Sequence, residues 1–160
     1  MNETESGSLR YFMADTREPQ WGGFLRALSD ELNDQMSVEE IRAFFYVLGK
    51  RLAEQSPLGD AESLEDLESG ANAYFRAIGW GWMRVRDVQT SLELVHACAP
   101  LRAAFGDAGM AWAGALLEGL YSAWLHDIGA GDELTLRQIG DAEGTVDTLR
   151  FRLAHPSLFV

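Results

Sequence analysis

At 160 residues, 47% hydrophobic and 24% charged, the chain has room for one domain with a substantial core and lacks the bias of a disordered or fibrous protein. Its 25 acidic residues against 13 basic ones give a formal net charge of −12, and Lys50 is the only lysine, which excludes nucleic acid and argues against adhesion to an anionic membrane. The single cysteine, Cys98, forbids an internal disulfide and, lying in an apolar run, reads as a small buried hydrophobe.

In chain order, Met1 to Gly23 is polar and without sustained period, so residues 1–23 are expected to form a flexible arm and residues 24–160 a single domain. Tyr11, Phe12 and Trp21 are unusual in such an arm: either they dock elsewhere or they pack back on their own domain. The N-terminus has no apolar core of the signal-peptide kind, and no run reaches the roughly 20 apolar residues of a membrane span, so a cytoplasmic location is expected.

From Trp21, the spacing of Phe24, Leu25, Leu28 and Leu32 predicts an amphipathic helix. A second helix begins at a capping box, Ser37 with Glu40, flanked by Met36 and Ile41 as a hydrophobic staple, and ends at Ser56 and Pro57. Its stripe of Ile41, Phe44, Phe45, Leu48 and Leu52 is wider than one core face needs, so Phe44 and Phe45 are expected at a subunit contact. A third helix is expected from about Asp60 to Ala77, with Glu62, Glu65, Asp66 and Glu68 on an acidic outer face.

At Ile78 the period changes to two. Trp80 and Trp82 share a strand face with Arg84 and Arg86, and the flanking Gly79 and Gly81 suggest either a close backbone approach or a bulge. These tryptophans are expected to pack the sheet against helices or against a second subunit. Thr90 to Ala97 returns as the paired strand, with Leu92, Leu94 and His96 on one face. After a loop, Asp107 is expected to cap a helix from Ala108 to about His126 that is apolar nearly all round. Such a helix is either the centre of the domain or the core of an interface, and its Trp112 and Trp124 join the expected interface aromatics. Glu118 within it needs an arginine or a backbone donor. Strands from Glu133 to Ile139 and from Val146 to Ala154 form a second hairpin, with Leu149, Phe151 and Leu153 inward and Arg150 and Arg152 outward. The fold class expected is α+β: N-terminal helices, an antiparallel β-hairpin, a central buried helix and a C-terminal β-hairpin.

No catalytic motif stands out. The acids lie on helix faces and in turns, where solvation accounts for them, rather than as a pair across a cleft. His96, His126 and His155 are far apart in sequence, and one cysteine cannot build a structural zinc site, so no metal and no cofactor is expected. His96 beside Cys98 allows a haem-ligand or nucleophile reading, but a histidine in a mostly apolar strand is more often a satisfied core or interface residue. There is no phosphate-binding glycine loop and no nucleophile elbow.

Five segments in order resemble the cellulose synthase D-subunit family, accessory proteins of bacterial cellulose-secretion operons. They are FLRALSDELNDQ (24–35), IGWGWMRV (78–85), LVHACAP (94–100), LLEGLYSAWL (116–125) and GDELTLRQIGDAE (131–143). The resemblance implies a cytoplasmic, non-catalytic protein near the inner-membrane synthase complex, assembling as a dimer-based, ring-like homo-octamer with interior passageways. It further implies a role in guiding nascent β-1,4-glucan or arraying synthase complexes, with a proline-rich accessory protein as a partner in parts of the family. On that reading Arg10, Tyr11, Phe12, Arg17 and Trp21 are the glucan-binding candidates, because aromatic faces stack on the C–H faces of glucose while polar groups meet its hydroxyls. Phe44, Phe45, Trp80, Trp82, Trp112 and Trp124 are the oligomer-interface candidates. A competing reading is a small-molecule sensor or adaptor of the vinyl-reductase-like type, with an apolar ligand against the central helix.

Overall fold

The computed structural model describes residues 3–15 and 19–159. It is α+β, with helices α1 (Glu3–Asp15), α2 (Pro19–Gln35), α3 (Val38–Gln55) and α4 (Leu64–Ile78) preceding a hairpin of β1 (Trp82–Asp87) and β2 (Leu92–Ala97). Helices α5 (Leu101–Gly109) and α6 (Gly114–Asp127) follow, then a second hairpin of β3 (Thr135–Gln138) and β4 (Leu149–Ala154). The two hairpins join through β2 and β4 into one antiparallel sheet of order β1-β2-β4-β3.

Local chemistry accounts for the helix boundaries. Ser37 and Glu40 form the expected reciprocal capping box at α3: the Glu40 N–H donates to Ser37 Oγ at 3.2 Å, and the Ser37 N–H donates to the Glu40 carboxylate at 2.8 Å. Those bonds hold the Glu40 carboxyl below its usual range. Helix α4 starts later than expected from sequence, because Ser63 is the residue that caps it, accepting from the Asp66 N–H. Segment 3–15, which shows no apolar period, is nevertheless helical, with Glu3 and Glu5 in its first turn where the helix dipole favours acids.

The long apolar run is where the structure departs most from the sequence reading. Instead of one helix from Ala108 there are two, and the segment from Leu101 to Phe105 is helical rather than loop. Pro100 supplies the cap position of α5, and Leu101 and Phe105, one helical turn apart, both face the core. Gly106 then takes a conformation (φ 78°, ψ 178°) that no helix contains. Asp107 caps nothing; its carboxylate accepts from Arg102 Nη1 at 2.7 Å. Trp112, in the turn between the helices, is fully buried and donates its indole N–H to Asn33 of α2.

Helix α6 is the centre of the domain. Ala115, Leu117, Leu120, Tyr121, Trp124 and Leu125 are all buried, each large side chain contributing roughly 1.5–3 kcal/mol. The helix packs on α3 closely enough that a Cβ added at Gly49 would strike the Leu116 carbonyl, and one at Gly119 the Tyr46 carbonyl. The sheet gives one face to this core: Met83, Leu94, His96, Leu149, Phe151, Leu153 and Leu136 are buried, as period-two alternation requires. Gly81 makes the close approach expected of it, against the Ala97 carbonyl.

Both outer edges of the sheet are bonded to helix side chains. On β1, Asn72 accepts from the Met83 N–H at 2.8 Å and donates to the Met83 carbonyl at 3.0 Å, while the Val85 N–H donates to Glu68 at 2.9 Å. On β3, the Gln138 N–H donates to Glu118 at 2.8 Å. Glu68 therefore does not belong to an outward acidic face; it turns in to the strand edge. Exposed edges are templates for unwanted pairing, and here amide and carboxylate groups occupy those positions instead.

Candidate functional site

The expected glucan-binding residues fall at the N-terminal end. Arg10, Tyr11 and Phe12 lie in α1, and Trp21 is in the first turn of α2. Arg17, and the side chains of Arg10 and Phe12, lie outside the described residues. Tyr11 is 68% exposed, and Trp21 is 53% exposed with its ring edge-on to Phe24 at 5.8 Å. Trp21 and Phe24, at i, i+3 spacing, thus make an outward aromatic pair on one face of α2.

A second outward apolar face runs along α3, where Phe44, Val47 and Leu48 recur at helical spacing and are exposed. The expected interface aromatics divide here. Phe45, Trp112 and Trp124 are buried in the subunit's own core, Phe45 at 4.6 Å from Trp112 and 5.4 Å from Phe105. Trp80, which precedes β1 rather than lying in it, is partly buried against that core, whereas Phe44 and Trp82 face outward. A stripe of adjacent phenylalanines does not reveal which ring turns inward; the i, i+4 relation of Ile41 and Phe45 is the available signal.

The polar groups around α6, His96, Tyr121 and Glu118, are satisfied rather than poised. His96 Nε2 lies 2.7 Å from the Trp80 carbonyl, which can only accept, so that nitrogen carries the proton and Nδ1 accepts from the Tyr121 hydroxyl at 2.6 Å. Burial pulls the imidazole down to about 4 and raises the Tyr121 phenol well above its ordinary value. A neutral histidine with both nitrogens engaged and no exposed surface suits a structural role. Cys98, partly buried at a left-handed backbone position (φ 66°), has its thiol pushed up by desolvation, away from the thiolate a nucleophile needs. Glu118 finds both of the donors it required: Arg42 Nη2 at 3.1 Å and the Gln138 N–H.

Open grooves flank the core. One of about 460 Å³ between the C-terminal halves of α3 and α6 and the β3 end is lined by Tyr46, Lys50, Glu54, His126, Asp127 and Asp132. Another, of about 490 Å³, lies between α4 and β1 beside Trp82 and Arg84. An apolar ligand against α6, as a sensor would hold it, would have to displace the packed rings of Phe75, Tyr121, Trp124 and Phe151. Among the described residues no cluster of His, Cys, Asp and Glu could hold a metal, and no helix is long and apolar enough to cross a membrane.

Trp21, Phe24, Phe44 and Trp82 thus stand outward on an α+β domain whose central helix is buried. Comparison with known proteins gives it a family. The profile of the cellulose synthase D-subunit family matches residues 8–152, from α1 to β4. Relatives named cellulose synthase operon protein D occur in Komagataeibacter xylinus, at 29% identity over 131 residues, and at 31% over 132 residues in a second protein of that species. A third, in Komagataeibacter sucrofermentans, is also 31% identical over 132 residues; each alignment covers 79% of this chain and 83% of the relative. The chain belongs to the cellulose synthase D-subunit family, accessory proteins of bacterial cellulose synthesis.

Proposed function

We propose that this protein is a structural accessory component of a bacterial cellulose synthase, without chemistry of its own, that assembles as a dimer-based homo-octameric ring and guides nascent β-1,4-glucan. The observation that carries this reading is the pair of outward apolar faces, Trp21 and Phe24 on α2 and Phe44, Val47 and Leu48 on α3. Large exposed rings at helical spacing cost free energy in water and are relieved by a partner. With Asn72, Glu68 and Glu118 bonded to the sheet edges, helix faces rather than added strands are the natural route to assembly. Trp82 is the sheet's contribution to the contact surface.

Glucan contact is assigned to Arg10, Tyr11, Phe12, Arg17 and Trp21. A sliding chain needs many weak stacking and hydroxyl contacts, which aromatic and arginine side chains supply. The synthase complex and a proline-rich accessory protein are the further partners, on the cytoplasmic side of the inner membrane.

Light scattering on the purified protein at micromolar concentration should give a mass of several subunits, and Phe44→Glu with Val47→Glu should lower it while leaving the circular dichroism unchanged. A wild-type monomer would remove the basis of the reading. Deleting residues 1–20 should reduce both glucan retention by the assembled protein and cellulose output of a producing cell; unchanged values would discard the glucan assignment alone.

A further inference from the structure

The outward face of the sheet is strongly basic, in a chain whose net charge is −12. Its core face is set by Met83, Leu94, Phe151 and Leu136, so alternation places Arg84 and Arg86 of β1, Arg150 and Arg152 of β4 and Arg137 of β3 together on the opposite side. The registers align them in rows. Arg86 is opposite Glu93, Glu93 opposite Arg152, and Arg152 opposite Arg137; Arg84 is opposite Val95, itself opposite Arg150. Against these guanidinium groups stand Glu93, at 3.1 Å from Arg152, and Glu143, at 3.6 Å from Arg150.

Two details mark this face as incomplete in the single subunit. Arg137 and Arg152 are like charges directly opposite on neighbouring strands, a destabilising arrangement at a Cβ spacing of about 5 Å. Arg152 Nε is also the one buried side-chain nitrogen or oxygen among the described residues without a hydrogen-bond partner. The arginines are held ready as well: Arg84 lies over the exposed Trp82 ring at 5.6 Å, and Arg137 over Phe159 at 5.0 Å.

The complementary surplus lies on α2. Asp30, Glu31 and Asp34 are exposed near its C-terminal end, where the helix dipole disfavours acids, and no basic residue occupies the last turn. We propose that the arginine face of the sheet docks the acidic C-terminal turn of α2 from a second copy of the chain. Where the two patches of one pair cannot engage each other reciprocally, such a contact is heterologous; it then propagates from subunit to subunit and closes into a ring when the rotation allows. It rests on the scaffold reading above and supplies it with a second, polar interface distinct from the apolar helix faces.

The test is a charge swap. Arg84→Glu with Arg137→Glu alters two side chains that form no ion pair among the described residues, and should weaken self-association about tenfold or more, as should Asp30→Arg with Asp34→Arg. Mixing the two variants should restore the wild-type mass, because each then offers the other a complementary patch. Raising salt from about 0.05 to about 0.5 M should mimic the loss. If the wild type assembles and both variants assemble equally well, the proposal fails and the scaffold reading stands; if the wild type is monomeric, the scaffold reading itself fails. Binding of a single-stranded oligonucleotide or phosphatidylserine vesicles that is lost in the arginine variant, with assembly unchanged, would reassign the face to that partner and overturn the proposal.

Discussion

Gly49 of α3 and Gly119 of α6 are reciprocal: each leaves room for a backbone carbonyl of the other's helix, Leu116 for Gly49 and Tyr46 for Gly119. The two helices touch main chain to main chain, so neither carbonyl can yield by itself and relief requires the helices to separate. Gly49→Ala or Gly119→Ala is therefore expected to destabilise by about 3 kcal/mol, at the upper end for overpacking, read as a shift in urea midpoint. Because one separation of the helices relieves both clashes, the double variant should cost less than the two singles added.

The buried His96 gives stability a pH dependence of known sign. Its pKa is pulled from 6.5 to about 4, so between those values the unfolded chain binds a proton that the folded one refuses. The contribution is complete above pH 6.5 and is lost as pH falls toward 4, roughly 3 kcal/mol in all. Urea titrations across that range should show the decline, and His96→Gln should flatten it whatever its own stability.

Removing the side chain that completes the β1 edge should have two effects. Asn72→Ala leaves the Met83 N–H and carbonyl unpaired at the strand edge, costing about 2 kcal/mol in chemical denaturation. It also opens an edge to other chains, so thioflavin-positive aggregation at elevated temperature should increase relative to the wild type.

At the opposite edge, Glu118→Ala removes the acceptor of both Arg42 Nη2 and the Gln138 N–H, at a site where the carboxylate is 17% exposed. A loss of about 2 kcal/mol is expected. Glu118→Gln keeps an acceptor oxygen and should lose less than half as much; equal losses from the two variants would mean that charge rather than the strand-edge bond matters there.

What the sequence disclosed was local. Ser37 and Glu40 announce the start of α3 because both partners of the capping box lie within one turn of each other. Period-two alternation places Met83, Leu94, Phe151 and Leu153 inward, and an isolated Glu118 in an apolar helix signals its need for donors. What it concealed was set by distant partners. Trp112 could not be assigned to a turn without knowing that Asn33 of α2 awaits its indole. Glu68 and Asn72 look like any polar helix surface until β1 is laid beside them. Phe44 and Phe45, adjacent and alike, are separated only by the rotation of about 100° per residue, which turns one to solvent and the other to Phe105.

The pairing of β2 with β4 also dictates an order of events during synthesis. Leu94 meets Phe151 across the sheet, so the strand that unites the two hairpins is the last of the four to leave the ribosome. Until then β2 has an open side, and the apolar residues of α6 lack the Leu149, Phe151 and Leu153 layer that covers them. The domain must therefore complete itself after most of it has been translated. In a crowded cell, that interval is when chaperone capture or premature contact between nascent neighbours would compete with folding.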